Sequence, residues 1–330
     1  MKVRTLTIGL ISIFLIFLGC GKNPISSDDE NDKNDDTITS FWEPTGELSS
    51  DVVSLATQNN GIIYAGTWGD GVYISTDNDN TWTQINNGLT SFYIKALINS
   101  QGKMYVGTHG IRIYRYNHSD KTWNKLNFPE PTATSLTSLA SSPNGNMYAG
   151  TSDGVYISTD NDNTWEQNNR GLFDNEHILS ITISIDQAAY LGTLNGVFRR
   201  NEDADSWTYI FDDDRMDLVY AHPFKKEAVY GGNSKGFWRS SKYGRMMELA
   251  TSGLPDGKVR TIVIDPDNGN IYIGIHGEGV FKSTNNGDSW SKLNDGLTNL
   301  NVNTLGISPD RRLLVGTDDG VLRSTEPLTQ

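Results

Sequence analysis

Four glycine turns carry residue types that can do chemistry. Trp68 and Asp70 sit in TWGDG, His109 and Arg112 in THGIR, His276 and Glu278 in IHGEG, and Asp318 and Asp319 in TDDG. Two imidazoles with carboxylates could hold a divalent metal or move a proton near neutral pH. A tryptophan flanked by glycine and aspartate could stack on a sugar ring or on a partner's apolar side chain. The plainer alternative is that all of these are solvated loop residues. Phe92, Tyr93, Phe173, His177 and the acidic run Asp212–Asp214 with Arg215 occupy the intervening loops.

A second set of side-chain oxygens lies in a repeated string. VYISTDNDNTW occurs at 72–82 and again at 155–165, and VFKSTNNGDSW at 280–290 is a looser copy. A helix–loop–helix calcium loop needs glycine at its sixth position and glutamate at its twelfth. Counted from Asp77, those positions are Trp82 and Gly88. No metal and no cofactor is therefore expected. The oxygens of DPDNGN (265–270) fit a turn between two strands equally well.

The elements that must position these residues repeat along the chain. Tyr-x-Gly-Thr followed by a second glycine turn recurs seven times, with key glycines at Gly66, Gly107, Gly150, Gly192, Gly232, Gly274 and Gly316. The period is 40 to 43 residues. Each unit reads as four short strands, A to D, rich in Val, Ile, Tyr and Thr and separated by Gly, Asn and Asp. Apart from the N-terminal segment, no long amphipathic helical stretch is present. Seven such units predict an all-β, seven-bladed β-propeller of four-stranded blades. Its B–C and D–A loops should gather on one face, and blades six, seven, one and two should bring His276, Glu278, Asp319, Trp68, Asp70 and His109 into one patch.

Six of the eight tryptophans start strand D: Trp42, Trp82, Trp123, Trp165, Trp207 and Trp290, with Met247 in the seventh place. Trp238 lies in a strand C and reads as core. FWEPTGEL (41–48) looks like a strand D with nothing before it, whereas the last unit (301–325) stops before its own strand D. The N-terminal strand is therefore expected to close the last blade, which would otherwise expose an unpaired edge.

STDNDNTW resembles the Asp box, S-x-D-x-G-x-T-W, of sialidase-type and sortilin-type BNR-repeat propellers. Ser75, Asp77, Thr81 and Trp82 match, with Asp79 for the glycine; Ser158, Asp160, Thr164 and Trp165 match, with Asp162 for it. STNNGDSW keeps Ser283, Gly287 and Trp290 but has Asn285 for the aspartate. The resemblance implies a structural C–D turn remote from any active site. It does not imply sialidase activity: no Arg-Ile-Pro motif is present, and sialidases of this class have six blades. The repeat also resembles lipoprotein propellers of the photosystem II assembly-factor type. GLTNLNVNTLGISPDRRLLVGTDDGV (296–321) is similar to the periplasmic propellers of hybrid two-component sensors. No transmembrane helix or kinase segment is read here, so the chain is not expected to signal alone.

The first residues read as an export signal. Lys2 and Arg4 precede an apolar run (6–18) too short for a comfortable span, and FLGC ends it at Cys20, the only cysteine. The ending resembles a bacterial lipobox, which implies a signal at 1–19, lipidation of Cys20 and stable acyl anchoring. Residues 20–39, with six acids and two lysines, read as a disordered tether. Such acidic runs also resemble surface-export signals of some Bacteroidetes lipoproteins. Residues 40–330 form the single propeller domain.

Net charge is −13. Setting aside Lys2, Arg4, six acids and two lysines of the tether leaves −11 on the repeat. That argues against nucleic acid or anionic lipid as a partner. The expected function is an envelope-anchored monomer that binds a protein or glycan through the loop face and leans away from catalysis. The alternative is a glycoside hydrolase or lyase using acids on the same face, for which two opposed carboxylates would be required.

Overall fold

The computed structural model describes residues 40–58, 60–129, 135–173, 177–211 and 215–329. The signal, Cys20, the tether and Asp212–Asp214 lie outside them. Among the described residues there is no helix, and the strands form seven antiparallel four-stranded sheets. In blade one the strands are Val52–Thr57 (A), Ile63–Thr67 (B), Val72–Ser75 (C) and Thr83–Gln84 (D). Strands A of successive blades touch one another in turn and return from blade seven to blade one, so they ring a central axis. The molecule is a seven-bladed β-propeller.

Blade seven is composite. Its strands A to C are Val302–Ile307, Leu313–Thr317 and Gly320–Ser324; its strand D is Trp42–Pro44. Trp42 pairs with Ser324, Glu43 with Arg323 and Pro44 with Leu322. Strand D is shorter than the sequence pattern suggests. In four blades it has two paired residues, both exposed. An outer strand with one edge in solvent has little to gain from a longer ladder.

Six of the seven repeated glycines of strand B share one cause. A Cβ built on Gly66 would lie 2.6 Å from Ile94 Cγ2; on Gly150, 2.8 Å from Ile178 Cγ2; on Gly316, 2.7 Å from Val52 Cγ1. Each time the neighbour is the first strand-A residue of the next blade, fully buried. The period in the sequence is thus the period of blade-to-blade contact. Gly274→Ala, whose Cβ would meet Val302 Cγ1 at 2.4 Å, is expected to cost roughly 1–3 kcal/mol by overpacking. Chemical unfolding of the variant measures this, and an unchanged midpoint would remove the explanation.

The Asp-box strings form C–D turns. Ser75 Oγ donates to Asp77 Oδ1 (2.9 Å) and accepts from Asp79 N (2.9 Å), while Thr81 Oγ1 and N donate to the Asp77 carboxylate at 2.7 and 2.9 Å. Asp160 is held likewise by Ser158 and Thr164. These bonds hold both carboxyls below the usual aspartate range, the Thr bonds contributing most. The strand-D tryptophans then staple blades together. Indole N–H groups of Trp123, Trp207 and Trp290 donate to Ile85 O (2.6 Å), Asn168 O (2.8 Å) and Ala250 O (3.1 Å) in the preceding blade. Trp238 is buried in strand C of blade five.

Candidate functional site

The B–C turns are fixed from below by asparagines at the end of strand D. Asn86 Oδ1 accepts from Val72 N (2.8 Å) and its Nδ2 donates to Asp70 O (2.8 Å). Asn169 and Asn294 do the same for the turns at Asp153 and Glu278. Gly69 N and Gly71 N both donate to Phe92 O (3.1 and 3.0 Å), which ties the Trp68 turn to the next D–A loop. These turns are therefore rigid mounts, not free loops.

Trp68 remains 39% exposed on its mount, beside Phe92 (44%) and Tyr93 (49%). It bridges Tyr93 through the backbone, and its ring meets Tyr93 edge-on at 5.1 Å and His109 at 5.9 Å. Lys95 Nζ lies 4.4 Å from the centre of the indole. Trp68 thus packs on blade two and does not fold onto its own blade.

A polar network continues from this cluster around the hub. Asp51 O accepts from Trp68 N (2.9 Å). One amide, Asn303 Nδ2, donates to Asp51 Oδ1 and Asp318 Oδ1, both at 2.9 Å. Asn301 Nδ2 donates to Asp318 Oδ2 (2.7 Å), and Asn301 bridges His276. Burial raises the Asp51 carboxyl, Asp318 raises it further, and Arg260 opposes both. Asp319 accepts from Asn299 Nδ2 (2.6 Å).

His276, Trp68 and His109 are accordingly joined through one chain of contacts across blades six, seven, one and two. Asp70 and His109 are exposed, while Glu278 is half-buried on the blade-six turn. Arg112 is not in the turn itself. It opens strand C of blade two opposite Thr108. Phe173 is 80% exposed and His177 is exposed, while Arg215 pairs with Asp217 at 2.8 Å. Among the described residues, no three His, Cys, Asp or Glu side chains converge as metal ligands.

The residues the motif search passed over are Lys95, Asn303 and Asp51. In six blades the A–B ladder slips by one residue, leaving Val53, Lys95, Thr137, Leu179, Arg260 and Asn303 unpaired on the innermost strand. A bulge re-aims its residue. Lys95 and Asn303 reach the loop face this way. The signal was present: the second strand-A position varies widely while its neighbours repeat.

No family model matches the chain, and no curated protein matches it. Solved structures do. The extracellular domain of the putative hybrid two-component system BT4673 from B. thetaiotaomicron superposes with a TM-score of 0.73 at 17% identity. The match covers 88% of this chain and 40% of that one, so the chain spans well under half of that domain. YCF48 from Cyanidioschyzon merolae gives 0.67 at 13% identity over 86% and 98% of the two chains; a streptogramin B lyase gives 0.72 at 12% over 86% and 97%. The likeness is one of fold. Proteins as different as these share the propeller, so function must be argued from the site.

Proposed function

We propose that the chain is a cell-envelope propeller, lipid-anchored at Cys20, that binds a protein or glycan through its B–C and D–A loop face. One observation carries the reading. Trp68, Phe92 and Tyr93 stay exposed together, and the backbone N–H groups of the Trp68 turn bond to Asp51 O, Phe92 O and Thr67 Oγ1, which makes a preorganised aromatic patch of the kind that dominates binding energy. Support for the location comes from the signal-like N-terminus and from similarity to propellers described as extracellular domains.

The enzyme reading needs opposed acids across one ligand. Asp70 and Glu278 stand on turns of blades one and six, with blade seven between them. A binding surface needs no such pair. Immobilised residues 40–330 should retain a ligand from envelope extract, and Trp68→Ala should weaken capture by about 2 kcal/mol, roughly thirtyfold in Kd. Glycan turnover abolished by Asp70→Asn or Glu278→Gln would replace this reading with catalysis.

A further inference from the structure

Among the described residues Lys95 has no counter-ion. Among the described residues its ammonium makes one recorded contact, the Trp68 ring at 4.4 Å. Its surroundings desolvate it, which lowers its pKa below the ordinary lysine value. The chain has 40 acidic and 27 basic residues. Arg115, Arg239, Lys258, Arg311 and Arg323 each close on a carboxylate. In so acidic a protein, a half-buried ammonium left against an exposed aromatic cluster carries a desolvation cost that the Trp68 ring offsets only in part and no carboxylate among the described residues offsets. An anionic group on a ligand would offset it.

We propose, resting on the binding role above, that Lys95 with Trp68, Tyr93 and His109 forms a subsite for an acidic sugar. The ammonium takes the carboxylate of a uronic acid residue, the exposed rings of Trp68 and Tyr93 take its C–H surface, and His109 and Asp70 bond its hydroxyls. Two features favour a sugar over an acidic peptide. The unpaired edges of the sheets lie at hub and rim, so a peptide cannot add as a strand on this face. Asp51 and Asp70 flank Trp68. They suit one carboxylate amid hydroxyl donors and repel a run of acidic side chains.

The test is an array of uronate oligosaccharides, each beside its methyl ester, probed with the detergent-solubilised full chain. At least one acid should bind about tenfold more tightly than its ester. Lys95→Met should erase that preference while leaving ester binding unchanged. Lys95→Arg should keep the preference, and Trp68→Ala should weaken acid and ester alike. Failure of every uronate to bind, equal binding of every acid and ester, survival of the preference in Lys95→Met, or tighter binding of a hexaglutamate peptide overturns the subsite. Equal acid and ester binding that still depends on Trp68 leaves the loop-face reading standing. Absence of any Trp68-dependent ligand, glycan or captured protein, removes both.

Discussion

Trp42→Ala should lower unfolding free energy by about 3–5 kcal/mol, as expected for a buried tryptophan. Its side chain is 1% exposed and packs with Val280, Val302, Leu313 and Val315. Its indole donates to Leu293 O (2.6 Å) and its backbone N–H to Asp295 O (3.0 Å). These are the bonds Trp123, Trp207 and Trp290 make to their preceding blades. Even the close approach of Gly296 to Trp42 O repeats that of Gly88 to Trp123 O. The seam where the chain ends meet is therefore an ordinary blade interface, with one difference. Its strand D is held to the rest of its sheet by non-covalent bonds alone, strand pairing and side-chain contacts such as Arg323 with Glu43, because no covalent turn links Ser324 to Trp42. Losing the indole frees the whole strand and exposes the edge of Gly320–Ser324. Urea unfolding should show the loss; a Trp42→Ala unfolding free energy within about 1 kcal/mol of wild type would mean that the ring does not depend on this seam. Trp68→Ala, which removes a half-exposed ring, serves as the control.

The fold could be read from the sequence because the residues that make the period also make the contacts. Gly66, Gly150 and Gly316 recur because the next blade's first strand-A side chain leaves no room for a Cβ. Trp42 could be placed because its fragment lacked the strands that every other Trp unit had. The site was only partly legible. Trp68, His109 and His276 stood out as variation within repeated turns, but the sequence gives no measure of how a ladder slips, so Lys95 and Asn303 looked like ordinary strand residues. Arg112 follows the left-handed Ile111 (φ 56°) and opens strand C, a boundary that the glycine of THGIR does not mark in the sequence. Asp79 and Asp162 were visible as departures from the Asp-box glycine. Their partners were not, since Arg323 is 244 residues from Asp79 and Arg115 is 47 from Asp162.

Those two aspartates carry the second large effect. Asp79 and Asp162 occupy left-handed positions (φ 58° and 67°) where the Asp-box pattern has glycine. Their side chains turn inward onto the preceding blade. Asp162 accepts from Tyr105 OH (2.5 Å) and Arg115 Nη1 (3.0 Å); Asp79 pairs with Arg323, which also holds Glu43 at 2.7 Å. Arg323 thus clamps blade one, blade seven and the N-terminal strand with one guanidinium. Arg323→Met should cost roughly 3 kcal/mol at pH 8, because it strands a buried carboxylate. The cost should shrink in acid, where Asp79 is protonated. Burial pushes the Asp79 carboxyl up to about 6 from the ordinary 3.8, even against Arg323. The sign follows from linkage. Between those values the folded state binds more protons than the unfolded chain, so stability falls as pH rises. This contribution is fully present below pH 3.8 and is lost as pH rises through about 6. Asp79→Asn tolerates the left-handed backbone and cannot titrate. The stability of wild type minus that of Asp79→Asn should therefore fall by about 2–3 kcal/mol between pH 4 and pH 8. Paired melts across that range cancel the titration of all other groups. A difference that stays flat, or rises with pH, would show that Arg323 outweighs burial and keeps Asp79 charged throughout.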